Sequence, residues 1–145
     1  MAIRITPHVV VADASAAAEW YAQAFGARER ERIPLPGGRV LSVELVIGDS
    51  VFHVGSEFPK IGILSPLSIG GTATVLQLET DDAEALWKRA LGAGAEVRNE
   101  LADTFWGERH GQIGDPFGHH WNIAERVRDV PHDEIVSAAA EAFGP

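Results

Sequence analysis

The chain has 145 residues, 46% hydrophobic and 23% charged, which suits one folded domain with a real core and excludes a disordered chain. Its formal net charge of −9, from 12 Lys+Arg against 21 Asp+Glu, disfavours nucleic acid and anionic membrane surfaces as partners, since both are polyanions. Cysteine is absent, which excludes disulfides and thiolate metal sites, and no apolar run approaches the roughly 20 residues of a membrane span.

Met1-Ala2-Ile3-Arg4 leads straight into a strand pattern with no signal-peptide character, so a cytoplasmic protein is expected. Ile5–Ala12 reads as a buried strand of β-branched residues. Asp13 is a good N-cap for a helix over Ala14–Phe25, whose Ala17, Trp20, Tyr21, Ala24 and Phe25 fall on one face. Gly26 stands where a glycine ends such a helix. Strands follow near Ala27–Ile33, Val40–Ile47 and Val51–Gly55, with turns at Pro36-Gly37-Gly38 and Gly48-Asp49-Ser50. The linker, residues 56–73, is rich in Pro, Gly and Ser.

The pattern then restarts. Thr74–Thr80 reads as a strand, Asp81 as a cap, Asp82–Leu91 as a helix closed by Gly92 and Gly94, and Glu96–Ala102, His110–Ile113 and His120–Glu125 as strands. A shift of 68 positions superposes Asp13 on Asp81 and Gly26 on Gly94, so cap, helix length and terminating glycine read as duplicated. The internal repeat spans residues 5–55 and 74–125, and residues 131–143 form a short helical tail with Asp133 and Glu134 in its first turn. Two βαβββ copies predict an α+β fold, with mostly antiparallel pairing, helices outside and a small-molecule cavity on the concave side of an incomplete barrel.

Trp20 and Trp87 sit at core spacing, and Trp121 points opposite to Asn122, toward the helices. Asp115-Pro116-Phe117-Gly118 reads as a hairpin turn. Glu44, amid an apolar strand, lies on a wet cavity face or is paired, because a lone buried carboxylate is expensive. Trp106 stands in an irregular stretch, where it either closes over a ligand or packs between the repeats.

The repeat, with Thr6-Pro7-His8-Val9-Val10-Val11, Trp20-Tyr21, Ser56-Glu57-Phe58-Pro59, Thr104-Phe105-Trp106-Gly107-Glu108-Arg109-His110-Gly111 and Asp115-Pro116-Phe117-Gly118-His119-His120-Trp121, resembles the vicinal-oxygen-chelate superfamily. That group holds glyoxalase I, extradiol dioxygenases and bleomycin-resistance proteins, and several of these segments look like its PhnB-like branch. The resemblance covers nearly the whole chain and speaks for fold more than for chemistry. It implies a homodimer, often with a cavity built across the interface.

Metal-binding members hold a divalent ion with four strand residues, usually His and Glu. Carried over, those positions are Thr6, His53, Thr74 and Asn122, of which only His53 is a normal ligand, so no standard metal site is expected. Side-chain alternation puts His8 beside Thr6 and His120 beside Asn122, so three histidines are expected to look into one cavity. Ligand-binding candidates are Thr6, His8, His53, Thr74, Trp106, His120 and Asn122, and candidate bases are His53, His8 and Glu44.

Three functions stay open: metal-free sequestration of an organic molecule such as an antibiotic, a glyoxalase- or dioxygenase-type enzyme needing a divalent metal, and a metal-free isomerase, lyase or cyclase. Whether the chain is an enzyme is not decided at this level.

Overall fold

The computed structural model describes residues 1–145. The first half runs β1 (His8–Val11), α1 (Ala14–Phe25), β2 (Arg28–Pro34), β3 (Val40–Ile47) and β4 (Ser50–Ser56). A one-turn helix α2 (Pro66–Ile69) lies in the linker. The second half repeats the order with β5 (Val75–Glu79), α3 (Ala83–Gly92), β6 (Glu96–Asp103), β7 (Glu108–Gly114) and β8 (His120–Arg126), before a tail helix α4 (His132–Phe143).

Each half builds one four-stranded sheet, ordered β1-β4-β3-β2 and β5-β8-β7-β6. The first and last strands of each half pair in parallel, and the other pairs are antiparallel. The fold is therefore α+β, with two mixed, curved sheets not closed into a barrel.

Local chemistry explains most boundaries. The Asp13 side chain accepts from the N–H groups of Ser15 and Ala16, and Gly26, at φ 73°, donates its own N–H to the C-terminal carbonyls of α1. Asp82, not Asp81, caps α3: it accepts from Ala85, while Thr80 Oγ1 accepts the Asp82 N–H and turns the chain one residue later than expected. The helices are accordingly 12 and 10 residues long and not exact duplicates. β1 is shorter than expected, because β4 begins to pair with it only at His8, leaving Ile5 89% exposed. β7 is longer than expected and starts at Glu108.

The expectation that the helices lie outside needs correction. Val9, Val11, Val43, Leu45, Phe52 and Val54 of the first sheet are buried, as are Ile113, Trp121 and Ile123 of the second, and all belong to one core with α1 and α3. Phe52 and Trp121 touch across this core, with ring centroids 5.8 Å apart. The helices therefore lie between the sheets. This follows from the amount of apolar surface on both sheet faces and both helices, which a single shared core removes from water together.

One polar group sits at the centre. Asp115, only 8% exposed, accepts hydrogen bonds from Tyr21 Oη at 2.5 Å, Trp121 Nε1 at 2.9 Å and the backbone N–H groups of Phe117 and His119. The turn that carries Asp115 thus ties α1 of the first half to β8 of the second.

Candidate functional site

Alternation along each strand decides what the outer faces carry. Phe52 and Trp121 point into the shared core, so their neighbours His53, His120 and Asn122 point out of it, each from its own sheet. The outer face of the first sheet holds a connected row. His8 and His53 pair across β1 and β4 and stack in parallel, with centroids 4.6 Å apart and planes 6° from coplanar. Glu44, opposite His53 on β3, places Oε1 3.4 Å from His53 Nε2. Its Oε2 accepts from Arg30 Nε at 2.5 Å. Glu44 is thus both wet and paired. The Arg30 hydrogen bond, with smaller help from the charges of Arg30 and His53, holds its carboxyl below the usual carboxylate range.

Arg30 reaches Glu44 because β2 carries a bulge. Glu29 pairs with Leu45 and Glu31 with Glu44, leaving Arg30 as the extra residue between them. The second sheet repeats the device: Val97 pairs with Ile113 and Asn99 with Gln112, and Arg98 is the extra residue. Arg98 Nε donates to Gln112 Oε1 at 2.9 Å, and Gln112 Nε2 donates to Asn122 Oδ1 at 2.9 Å. Asn122 Nδ2 then donates to Gln77 Oε1 at 3.4 Å. The outer faces therefore carry equivalent rows, Arg30–Glu44–His53–His8 and Arg98–Gln112–Asn122–Gln77. The first is charged and titratable; the second is built on amides.

The other candidates fall around these rows. His120 shares the second outer face, where burial and then the Arg98 charge push its pKa below the usual histidine value. Trp106 packs edge-on against His110 at 5.5 Å and donates Nε1 to Glu108 Oε1 at 2.5 Å, at the margin of the same sheet. Thr6 lines a cleft of about 810 Å³ between the halves, floored by Phe52 and Trp121. Thr74 precedes β5.

Within one chain, His8 and His53 are thus separated from His120 and Asn122 by the whole core, so the expected single cavity with three histidines does not form there. Arg30, Arg98, Gln112 and Gln77 escaped the sequence reading. For Arg30, Arg98 and Gln112 the signal was present: the 68-residue shift that aligns the helices also places Arg30 on Arg98 and Glu44 on Gln112, whereas it sets Gln77 against Val9 and gives no such signal.

The donor set does not suit the divalent ion associated with this kind of fold. The four carried-over positions supply two hydroxyls, an amide and one imidazole, spread over both halves, and no group of three His, Asp or Glu side chains converges within the chain.

Residues 4–123 match the family model described as the Glyoxalase/Bleomycin resistance protein/Dioxygenase superfamily. The chain belongs to this superfamily. The Mycobacterium bovis protein Mb0911c is 39% identical to this chain over 137 residues, which cover 92% of this chain and 90% of that protein. Two solved structures have the same fold. TioX from Micromonospora sp. ML1 aligns with a TM-score of 0.68 at 24% identity, covering 86% of this chain and 99% of its own. TnmS3, an antibiotic binding protein from Streptomyces sp. CB03234, aligns with a TM-score of 0.61 at 21% identity, covering 87% and 98%.

Proposed function

We propose that this superfamily member binds a small organic molecule between the polar faces of two copies of the chain, in a sequestering role like that of an antibiotic-binding protein. The observation that carries the proposal is the outward direction of the two rows. Each open face is one polar wall, and a second copy can set the first sheet of one chain against the second sheet of the other. The likeness to TnmS3, which binds an antibiotic, supports the reading at the level of the fold. His8 and His53 from one chain, with Asn122, His120 and Trp106 from the other, would then share a cavity that neither chain holds alone. Thr6 and Thr74 belong to its rim. The same proposal places the chain in the PhnB-like branch, on the Trp106-Gly107-Glu108-Arg109-His110-Gly111 and Asp115-Pro116-Phe117-Gly118-His119-His120 segments, and in the cytoplasm. The net charge of −9 steers cations toward the molecule over anions, by a field that salt screens.

Two measurements test this. Light scattering at micromolar concentration is expected to return the mass of two chains. A quenching screen on the tryptophans is expected to find aromatic or peptide antibiotics that bind, with affinity lost in His53→Ala and in Trp106→Ala. A monomer mass together with an empty screen would end the proposal.

One observation favours a second reading. Glu44, anchored by Arg30, lies against the His53 ring, an arrangement that can hold an imidazole in place as a general base without a metal. If this is the chemistry, the protein exchanges deuterium from solvent into a bound carbon acid, and Glu44→Gln slows the exchange by at least about 10-fold, a part of the roughly 100- to 10,000-fold that a general base contributes. Exchange that is absent, or insensitive to this change, rules the reading out.

A further inference from the structure

The second row extends one step beyond its counterpart on the first sheet. Gln77 Nε2 lies 3.5 Å from Glu79 Oε1, so a chain of hydrogen bonds runs Arg98→Gln112→Asn122→Gln77→Glu79 across all four strands. Both ends have only one possible polarity. A guanidinium can only donate, so Gln112 must turn its oxygen to Arg98. A carboxylate can only accept, so Gln77 must turn its nitrogen to Glu79. Between these ends the orientation of every amide follows, and all donors point the same way. Such a chain polarises along its length, and its links strengthen one another.

Each amide in the chain uses one N–H and one oxygen lone pair. Each keeps one N–H and one lone pair unused. The open face therefore presents a row of paired donors and acceptors, without a free charge in its middle. The row also joins two hollows: Gln77 and Glu79 line the cleft of about 810 Å³, and Arg98 and His120 line one of about 760 Å³.

We propose that this amide row is a recognition strip for the edge of a neutral lactam, cyclic imide or cis-amide. Such an edge carries a donor beside an acceptor and can satisfy both unused groups of a side-chain amide at once. An anion leaves the N–H groups matched but the lone pairs facing charge, and a cation does the reverse; either mismatch costs the desolvation of the unmet group. The proposal rests on the small-molecule reading above and narrows it to a ligand class.

The test uses the full-length protein and simple probes. Glutarimide and δ-valerolactam are titrated while side-chain amide signals are followed by NMR, beside benzoate and benzylammonium as charged controls. The neutral probes are expected to shift the Gln77, Gln112 and Asn122 NH₂ signals and the controls to leave them in place. Gln112→Glu keeps the acceptor for Arg98 but removes the donor to Asn122, reproducing the Arg30–Glu44 pair that the first sheet already holds. It is expected to weaken glutarimide binding by about 10-fold, equivalent to about 1.4 kcal/mol. Equal shifts with benzoate or benzylammonium, or unchanged affinity in the variant, would overturn the strip and leave the small-molecule reading standing. Silence from all four probes, with antibiotic hits in the quenching screen, also overturns the strip alone. Silence in both experiments removes the strip and the binding function together.

Discussion

Asp115→Ala is expected to lower the melting temperature by about 10 °C. The side chain is buried and accepts from two side-chain donors, Tyr21 Oη and Trp121 Nε1. Stranding a buried donor costs about 1–3 kcal/mol. Two of them give about 3 kcal/mol, and for a chain of this size each kcal/mol moves the transition by about 3–4 °C. The lost backbone bonds to Phe117 and His119 add to this by loosening the turn. Asp115→Asn should fall in between, because one oxygen is retained but an NH₂ group then faces a donor. Thermal denaturation followed by circular dichroism measures both. A change of less than about 3 °C in the alanine variant would mean that water or a rearranged turn replaces the carboxylate, and the hub would lose its structural meaning.

Alkaline solution is expected to unfold the protein through the same hub. Burial first, and then the negative charge of Asp115, push the Tyr21 phenol well above its ordinary value of 10.0. In the unfolded chain the phenol ionises at the ordinary value; in the folded chain it stays protonated. The stability contributed is therefore fully present below pH 10 and is lost as the pH rises through and beyond it, by up to about 1.4 kcal/mol per pH unit. Tyr21 is the only tyrosine, so the phenolate absorbance reports this group alone. It should appear together with the loss of the circular dichroism signal, and Tyr21→Phe should shift the alkaline transition to higher pH even though it removes a hydrogen bond. Phenolate appearing at the ordinary midpoint while the fold remains intact would contradict this account.

The elements of the fold were largely legible because their signals are local. The Asp13 cap, the Gly26 terminator and the spacing of Ala17, Trp20, Tyr21 and Phe25 act within a few turns of chain. The Asp81 cap was misplaced for the same kind of reason. Two adjacent aspartates carry the same local signal, and only the Thr80 hydroxyl beside Asp82 selects between them. Asp115 was read as a turn residue, which it is, but its partners Tyr21 and Trp121 come from both halves and no local pattern announces them.

The candidate site divides in the same way. His53 was reached as a ligand position that the superfamily resemblance carries over, His8 by alternation from Thr6, and Glu44 by its place in an apolar strand. Their assembly into a row with Arg30, and the matching row through Arg98, depends on one extra residue in β2 and in β6. A bulge is a property of strand pairing and has no signature in one strand alone.

By itself the amino-acid sequence determined the repeated βαβββ order, the two amphipathic helices and the superfamily, because periodicity, caps and motif spacing are carried by neighbouring residues. Only the tertiary structure decided that α1 and α3 lie between the sheets, that His53 and Asn122 therefore face opposite ways, and that each polar row lies on an open outer face. The physical reason is that packing direction is set by the sum of apolar surface from distant elements seeking a common core, and that sum is not written in any one of them.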